Sequence, residues 1–368
     1  MSFRPLEGKL VVDVTSSLAG PTCTQLLASL GADVIKVEPP GGDHARAWGP
    51  PFIDGEGAMF LAANAGKRSL VLDLSTPEGV DELLELARRA DVFVQSLRPG
   101  AAEQHGFGAE TLRARRPELV HCSIGAFGSS GPLRMEAGYD PLLQAASGIM
   151  SVTGVDGMPP VRVGVSLIDL STGLWAAFAI VSALMRGGGA TIDVSLYETA
   201  LWLLSSQIVG YLGTGDVPGR EGSAFAQIAP YQVFATRDGE LMIVAGNDKL
   251  FRSLCGVLGL AEEERFRTNP GRVRHRADLA ALIEARTRAR ATDELLTALV
   301  DAGVPASPVR NVGQAADHAQ TLALGILQQL GEFTTVAQPF SVDGERVVHP
   351  SPPPKLPQQG RESRPTTS

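Results

Sequence analysis

Two aspartates lie in apolar surroundings where a carboxylate is unusual. Asp169 falls within "VGVSLIDLSTGLWAAFAIVSALM", and Asp140 falls within "AGYDPLLQAASGIM". Burying an unpaired carboxylate is costly, and the pKa of the group normally shifts until it is neutral. Each aspartate precedes a run with helical apolar spacing, so each is a candidate helix N-cap. A helix N-terminus also keeps a carboxylate ionised, and an ionised carboxylate in a partly dry pocket can act as a nucleophile. For Asp169 the pattern leaves both interpretations open, whereas for Asp140 it favours a cap.

The elements that must position these residues begin with a βαβ unit. "KLVVDV" predicts a buried strand, "SSLAGPTCTQLLASLGA" a loop and a helix, and "DVIKVEPPGGD" a second strand that ends at a Pro-Gly turn. The alternation continues through "RSLVLDL", "TPEGVDELLELARRA" with Thr76 as N-cap, "DVFVQSL" and "LVHCSIGAFG". Such alternation predicts an α/β fold, with a large parallel-sheet domain over residues 1–204.

The pattern changes after Ser205. "YQVFATRDGELMIVAG" predicts a hairpin that turns at Asp238-Gly239. Three helical stretches are predicted after it, at residues 249–258, 276–289 and 292–302. We therefore expect a smaller α+β domain over residues 205–325, followed by a last segment, 326–368, with an extended Pro-rich tail.

Composition narrows the class of protein. The net charge of −8 argues against a general nucleic-acid or membrane-surface binder. The three cysteines are widely separated and no two of the six histidines have metal-ligand spacing, so we expect neither disulfides nor a metal site. The N-terminus has no signal-peptide pattern, and the apolar run at residues 174–185 is too short to span a bilayer. These features predict a soluble cytoplasmic protein.

Nucleotide-binding signatures are missing from the first loop. "TSSLAGP" contains neither the G-x-G-x-x-G fingerprint nor a Walker A sequence, although its backbone amides could still meet a phosphate or an acyl group. Basic residues cluster near the predicted turns, at Lys36, Arg46, Lys67, Arg68 and Arg98. They could form a phosphate site, or they could be scattered solvated charges, and the sequence does not decide between these.

Several stretches together resemble the family III CoA-transferases, also called the CaiB/BaiF family. In chain order they are "LAGPTCTQLLASLGADVIKVEPPGGD", "NAGKRSLVLDL", "ADVFVQSLRPG", "GYDPLLQAASG", "IDLSTGLWAAFAIVSAL", "IDVSLYETAL", "YQVFATRDGELMIVAGND" and "LVDAGVPASPVRNV". The resemblance implies a large Rossmann-like domain, a smaller domain, and a C-terminal return to the large domain. It also implies an interlocked homodimer that binds CoA between the large domain of one subunit and the small domain of the other.

The resemblance also implies site residues and a reaction. Asp169 matches the family's nucleophile and Asp140 a second acidic residue of the active site. CoA contacts are implied at Ser17, Ala19, Leu72, Ser75, Ser96, Leu97 and Gln104, and we add Arg98 as a candidate phosphate partner. The substrates would be an acyl-CoA and a small carboxylic acid, with no tightly bound cofactor. CoA would pass through an aspartyl-CoA thioester, with backbone N–H groups of "SSLAGP" or of residues 219–223 as oxyanion donors.

Two alternatives remain open. The family contains 2-methylacyl-CoA racemases, which use a His and an Asp as a proton-transfer pair. The Asp matches Asp140, but the stretch that should carry the His, "ETLRARRPEL", has none. A non-catalytic CoA-binding protein is the other alternative, because positions that contact CoA in some relatives are occupied here by Pro39 and Ala137.

Overall fold

The computed structural model describes residues 3–261 and 263–357. The chain forms two compact units. Of the described residues, the first unit comprises 3–149, 162–216 and 322–357, whereas the second comprises 150–161, 217–261 and 263–321. The sequence predicts boundaries at 204/205 and 325/326, whereas the structure changes unit at 216/217 and 321/322 and assigns residues 150–161 to the second unit. Residues 358–368 of the expected Pro-rich tail lie outside the described residues.

The helices and strands of the first unit alternate as the sequence predicts. Through Ile149 they are β1 (Leu10–Val14), α1 (Ala19–Ser29), β2 (Asp33–Glu38), β3 (Phe52–Ile53), β4 (Glu56–Gly57), α2 (Ala58–Ala63), β5 (Lys67–Val71), α3 (Pro77–Arg89), β6 (Val92–Gln95), α4 (Ala101–Gln104), α5 (Ala109–Arg115), β7 (Val120–Gly125) and α6 (Asp140–Ser147). They continue with α7 (Leu167–Met185), β8 (Ala190–Ser195), α8 (Leu196–Leu203) and α9 (Ser205–Thr214). Helix α3 begins as predicted, because the Thr76 hydroxyl accepts the Gly79 N–H at 3.2 Å.

The second unit and the C-terminal segment contain the remaining elements. In chain order these are β9 (Tyr231–Ala235), β10 (Glu240–Val244), α10 (Asp248–Leu258), α11 (Asn269–Arg274), α12 (Arg276–Thr287), α13 (Thr292–Asp301), β11 (Ala306–Pro308), α14 (Val312–Ala316), α15 (Ala319–Leu324), β12 (Leu327–Leu330), β13 (Phe333–Val336), β14 (Ser341–Val342) and β15 (Glu345–Arg346). Short 3₁₀ turns occur at His44–Ala47, Ile149–Ser151 and Glu264–Phe266.

A six-stranded parallel sheet organises the first unit. Its strand order is β5-β2-β1-β6-β7-β8, and Val12 of β1 pairs with Ile35 on one side and Phe93 on the other. The chain therefore builds outward from β1 through β2 to β5, then returns to place β6 on the other side of β1. Loops that leave β1 and β6 diverge at such a switch point, and ligands of open α/β sheets bind in the crevice between them.

One face of this sheet packs against α3 and α5. The buried apolar side chains of this layer include Val12, Ile35, Leu83, Phe93 and Leu112. Fully buried strands with apolar residues on both faces are typical of parallel sheets, which explains why the sequence shows continuous apolar runs rather than alternation. The predicted α/β architecture is confirmed.

Helix α7 packs closely against α1. A Cβ on Gly173 would lie 2.6 Å from the carbonyl oxygen of Ala19, so only glycine allows this approach. At 19 residues α7 is longer than the apolar run in the sequence, and by length and composition it could cross a membrane. Core helices of water-soluble proteins share that property.

The second unit is a separate α+β layer. Strands β11, β10 and β9 form an antiparallel sheet in that order, with the hairpin at Asp238-Gly239 that the sequence predicts. Its apolar core is distinct from that of the first unit and includes Phe234, Leu241, Phe251, Leu279 and Leu299. Residues 150–161 join this unit through a bridge between Val155 and Glu221.

Candidate active site

Asp140 caps a helix, but not the helix that it begins. It is the first residue of α6, whose N-cap Tyr139 makes no side-chain cap bond. Its carboxylate instead accepts the N–H groups of Ile168 at 2.8 Å and Asp169 at 3.3 Å, in the first turn of α7. Gln144 donates to its other oxygen at 2.6 Å. The expectation of a cap within its own helix is thus corrected, since Asp140 joins two helix N-termini.

Asp169 is not a cap either. Ser166 occupies the N-cap position of α7, and Asp169 lies in the first turn with its own N–H taken by Asp140. Among the residues that the structure describes, nothing donates a hydrogen bond to its half-buried carboxylate. Burial, with a smaller contribution from the charge of Asp140, raises the pKa of Asp169 from 3.8 to about 7. The helix end does not keep this carboxylate ionised as expected, because burial outweighs its effect and Asp140 already accepts the N–H groups of the first turn.

The loop between β1 and α1 lies beside the face of α7 that carries Asp169. Residues four apart share one face of a helix, so Asp169 and Gly173 are neighbours on α7. Gly173 contacts the Ala19 carbonyl and Thr22, at the start of α1. The loop also opens at the switch point of the sheet, next to the segment that follows β6, where the Ser96 hydroxyl accepts the Ser16 N–H at 3.2 Å. The nucleophile candidate and the ligand crevice of the fold thus coincide.

The basic residues near the strand ends do not form a phosphate site. Lys36 and Lys67 are fully buried, and their ammonium groups lie 2.8 Å from Asp43 and 3.0 Å from Asp13 respectively. The other two are also paired, Arg46 with Glu38 and Glu56, and Arg68 with Asp33. Of the five, Arg98 alone is left exposed without an ion pair among the described residues. Neither interpretation from the sequence, a phosphate site or solvated charges, describes the four paired residues.

Charge compensation keeps the buried cluster ionised. Burial favours the neutral acid, but the charges of Lys67 and Lys36 outweigh it and lower the pKa of Asp13 to about 2. Burial lowers the pKa of Lys67 to about 8, against the charge of Asp13. For Lys36 burial has the same effect, yet the charges of Asp13 and Asp43 prevail and raise its pKa.

The structure brings part of the predicted CoA-contact set together at the carboxyl edge of the sheet. Ser17 and Ala19 lie in the β1–α1 loop, and Ser96 and Leu97 follow β6 directly. These four residues flank the switch point. Their placement agrees with a ligand crevice there.

The other predicted contacts lie farther along this edge. Leu72 follows β5 with its side chain in the core, so only its backbone could reach a ligand. Ser75 lines an open cavity of about 400 Å³ between the start of α3 and His105, and Gln104 is the exposed residue before that histidine. The sequence did not single out His105 or this cavity.

Comparison with known proteins identifies the family. The sequence profile of CoA-transferase family III matches residues 6–360. The chain belongs to this family. The resemblance found in the sequence is thereby confirmed.

Individual relatives support the assignment to CoA-transferase family III. Succinate–glutarate CoA-transferase of Agrobacterium fabrum is 42% identical over 336 residues, which cover 88% of this chain and 84% of that protein. Succinyl-CoA:glutarate CoA-transferase of Mus musculus is 38% identical, over 98% of this chain and 86% of that protein. A crystal structure of a CaiB/BaiF family protein from Brucella suis has a TM-score of 0.88 and 40% identity, with 97% of each chain covered.

Two residues that hold the candidate site residues in place in this family III chain are not apparent from the sequence. Gln144 donates to Asp140 and also accepts the Val163 N–H at 2.8 Å, although nothing in the sequence distinguishes it from an ordinary helix residue. Asp43 accepts the Ser17 N–H at 3.2 Å, and the "PPGGD" turn in which it lies gave only a turn signal. The described parts of the chain contain no cluster of three or more His, Cys, Asp or Glu residues that could hold a metal ion.

Proposed function

We propose that this protein transfers CoA between an acyl-CoA and a dicarboxylic acid, with Asp169 as the nucleophile. One observation carries the proposal: in a chain of CoA-transferase family III, Asp169 is a half-buried carboxylate without a hydrogen-bond donor among the described residues, next to the crevice of the sheet. A carboxylate held by donors would be a weaker nucleophile, whereas this one is free to attack a carbonyl carbon.

The reaction proceeds by exchange of carboxylate and thiolate at three carbonyl carbons, those of the donor, of Asp169 and of the acceptor. An Asp169 oxygen attacks the thioester carbonyl, the C–S bond breaks, and CoA thiolate leaves a mixed anhydride on Asp169. The thiolate then attacks the Asp169 carbonyl carbon and displaces the donor acid as its carboxylate. The acceptor carboxylate attacks the aspartyl-CoA thioester, which releases CoA thiolate and forms an anhydride between the acceptor and Asp169. The thiolate then attacks the acceptor carbonyl of this anhydride and forms the acceptor's CoA thioester. Asp169 is restored, and no net proton is consumed.

Backbone N–H groups of the β1–α1 loop are suited to stabilise the oxyanions of these steps. Leu18, Ala19 and Gly20 are buried, and their N–H groups have no acceptor in the described parts of the chain. The first N–H groups of a helix have no intrahelical acceptor, so these three consecutive donors beside Asp169 are available to a ligand oxygen. Each oxyanion donor of this kind typically contributes about 100- to 1,000-fold to a rate.

The racemase alternative lacks its second base. Within residues 3–261 and 263–357, no histidine bonds to Asp140 or Asp169, and His121 is buried in the sheet against Phe93. Nothing in the described chain places a neutral base across from Asp140. The observations therefore favour transfer over α-carbon proton exchange.

The proposal of a dicarboxylic acid as acceptor rests on the named activities of the relatives. Two of them, at 42% and 38% identity, are named for succinate or succinyl-CoA together with glutarate. Both acids carry two carboxylates separated by a short chain. Donor and acceptor in this chain would accordingly be short dicarboxylic acids and their CoA thioesters.

Intact-mass spectrometry tests the nucleophile and the donor together. The protein is mixed with succinyl-CoA, glutaryl-CoA, acetyl-CoA or a branched acyl-CoA, with and without hydroxylamine. We expect a CoA-sized adduct with a dicarboxylyl-CoA that hydroxylamine removes, and we expect none with Asp169→Ala. Asp193→Asn is the matched control, since it alters another carboxyl group whose pKa is raised, in this case by burial and by the charges of Glu198 and Glu103. An adduct that persists in Asp169→Ala would refute the role of this residue.

The proposal includes a homodimer. Large apolar side chains are exposed along α7 and α9, among them Leu174, Phe178, Val209 and Leu212. An apolar surface of this extent is unusual for a monomer and typical of an interface. Light scattering coupled to size-exclusion chromatography should give twice the chain mass of 38.7 kDa. A monomer at micromolar concentration would contradict this part.

A cytoplasmic location is also proposed. Cys23 and Cys122 are buried thiols that form no disulfide within the described residues, and a reducing compartment keeps such thiols reduced. Cell fractionation with an antibody against the native protein would test the location directly.

A further inference from the structure

Four buried charges lie under the β1–α1 loop, and the transfer reaction as described uses none of them. Asp13, Lys36, Asp43 and Lys67 each have at most 3% of their surface exposed. Replacing such a cluster with apolar residues often leaves a protein equally stable or more stable, so stability alone is a weak reason for keeping it. Its contacts with the loop suggest a different reason.

The cluster holds the loop backbone at two positions, Thr15 and Ser17. Lys36 Nζ donates to the Thr15 carbonyl at 2.8 Å, and it pairs with Asp43 Oδ2 at the same distance. Asp43 Oδ1 accepts the Ser17 N–H at 3.2 Å. One ion pair thus fixes both a carbonyl and an amide of the loop.

Ser17 needs such a restraint because its backbone is in an unfavourable conformation. Its φ is +70°, in the left-handed region that residues with a Cβ rarely adopt. A non-glycine residue persists there only when its surroundings impose the conformation. The hydrogen bond to Asp43 is the one that directly restrains the Ser17 N–H.

The conformation of Ser17 decides where the next residues point. Leu18, Ala19 and Gly20 follow immediately, and theirs are the N–H groups without acceptors. The Ala19 carbonyl meets Gly173, which shares a face of α7 with Asp169. A rotation at Ser17 would therefore turn these donors away from the nucleophile.

We propose that Asp43 and Lys36 are positioning residues for the transfer reaction: their buried ion pair holds Ser17 in the left-handed conformation and so directs the N–H groups of residues 18–20 toward the carbonyl that Asp169 attacks. The inference rests on the proposed function, because it assigns these N–H groups to that reaction.

The test is a double-mutant cycle between Asp43 and Ser17. Asp43→Ala removes the restraint and should lower the rate of CoA-adduct formation at saturating acyl-CoA by about 100-fold, with a change in KM below about threefold. Ser17→Gly added to Asp43→Ala should restore at least about tenfold of that loss, because glycine adopts a positive φ without a restraint. Asp43→Asn retains an oxygen acceptor for the Ser17 N–H and should lose less than Asp43→Ala.

Two further variants distinguish a specific loss of rate from a general defect in folding. Ser17→Val leaves the ion pair intact but disfavours a positive φ, so it should reproduce the loss of rate. Asp33→Ala removes an exposed ion pair with Arg68 at the opposite end of β2 and should leave the rate unchanged. Thermal melting of every variant reports whether it is folded.

The outcomes separate the inference from the proposed function. If the wild-type protein forms no hydroxylamine-sensitive adduct, the proposed function fails and the inference fails with it. If the wild type forms the adduct but folded Ser17→Val keeps the wild-type rate, only the inference is overturned. The same conclusion follows if Ser17→Gly restores nothing to folded Asp43→Ala, since a merely structural role of Asp43 predicts no rescue.

Discussion

Raising the pH from 6 to 8 should accelerate attack by Asp169 about tenfold. Burial, and to a smaller extent the charge of Asp140, raises the pKa of Asp169 to about 7. With that pKa, about one molecule in eleven carries an ionised Asp169 at pH 6, and about ten in eleven at pH 8. Only the ionised form attacks the thioester, so the rate follows this fraction.

The assay is single-turnover formation of the CoA adduct, quenched at intervals and read by intact mass. Acyl-CoA is held below its KM, because the pH dependence of kcat/KM reports the pKa values of the free enzyme. A profile that is flat from pH 5.5 to 8 would refute the reasoning, since an ordinary aspartate with a pKa of 3.8 is fully ionised over that range.

The phosphate of the substrate also titrates near pH 6, so the variant Asp140→Asn is needed to separate the titration of Asp169 from that of the substrate. Asp140→Asn retains an oxygen acceptor for the first turn of α7 but removes the charge. The midpoint should move below 7 and stay above 3.8, because burial is the larger cause of the raised pKa. Asp193→Asn should leave the midpoint unchanged. If the midpoint of the pH profile is the same in Asp140→Asn as in the wild type, the profile reports the titration of the substrate.

Three further predictions concern stability and packing. Because the pKa of Asp169 in the folded protein exceeds 3.8, the stability of the protein falls as the pH rises from about 4 through 7. Asp169→Asn should therefore stabilise the protein by up to about 4 kcal/mol at pH 8 and should have no effect at pH 3.5. Urea unfolding at both pH values measures this difference. Asp13→Ala leaves two buried lysines without this counter-charge and should lower the unfolding free energy by about 3–5 kcal/mol in the same assay at pH 7. Gly173→Ala places a Cβ 2.6 Å from the Ala19 carbonyl oxygen, so thermal melting should show destabilisation and the adduct assay a loss of rate. Gly256→Ala, in a helix with open space around the site, is the control and should melt at or slightly above the wild-type temperature.

Much of the fold follows from local patterns in the sequence. The turn at Asp238-Gly239, the Thr76 cap and the alternation of strands and helices all depend on residues close together in the chain, and all are present in the structure. The boundary between the units was less predictable. Residues 150–161 join the second unit through pairing of Val155 with Glu221, about 65 residues away. Local periodicity in the sequence cannot predict a contact between residues so far apart in the chain.

The sequence by itself determined the family, the α/β architecture and Asp169 as the candidate nucleophile, because motif order and periodicity are properties of the linear chain. Only the tertiary structure decided what surrounds that residue. Asp140 caps α7 across 28 residues, and Lys36 pairs with Asp43 under the loop rather than facing a phosphate. The physical reason is that the pKa of Asp169 and the direction of each side chain depend on burial and on distant charges, which are fixed only when the helices pack.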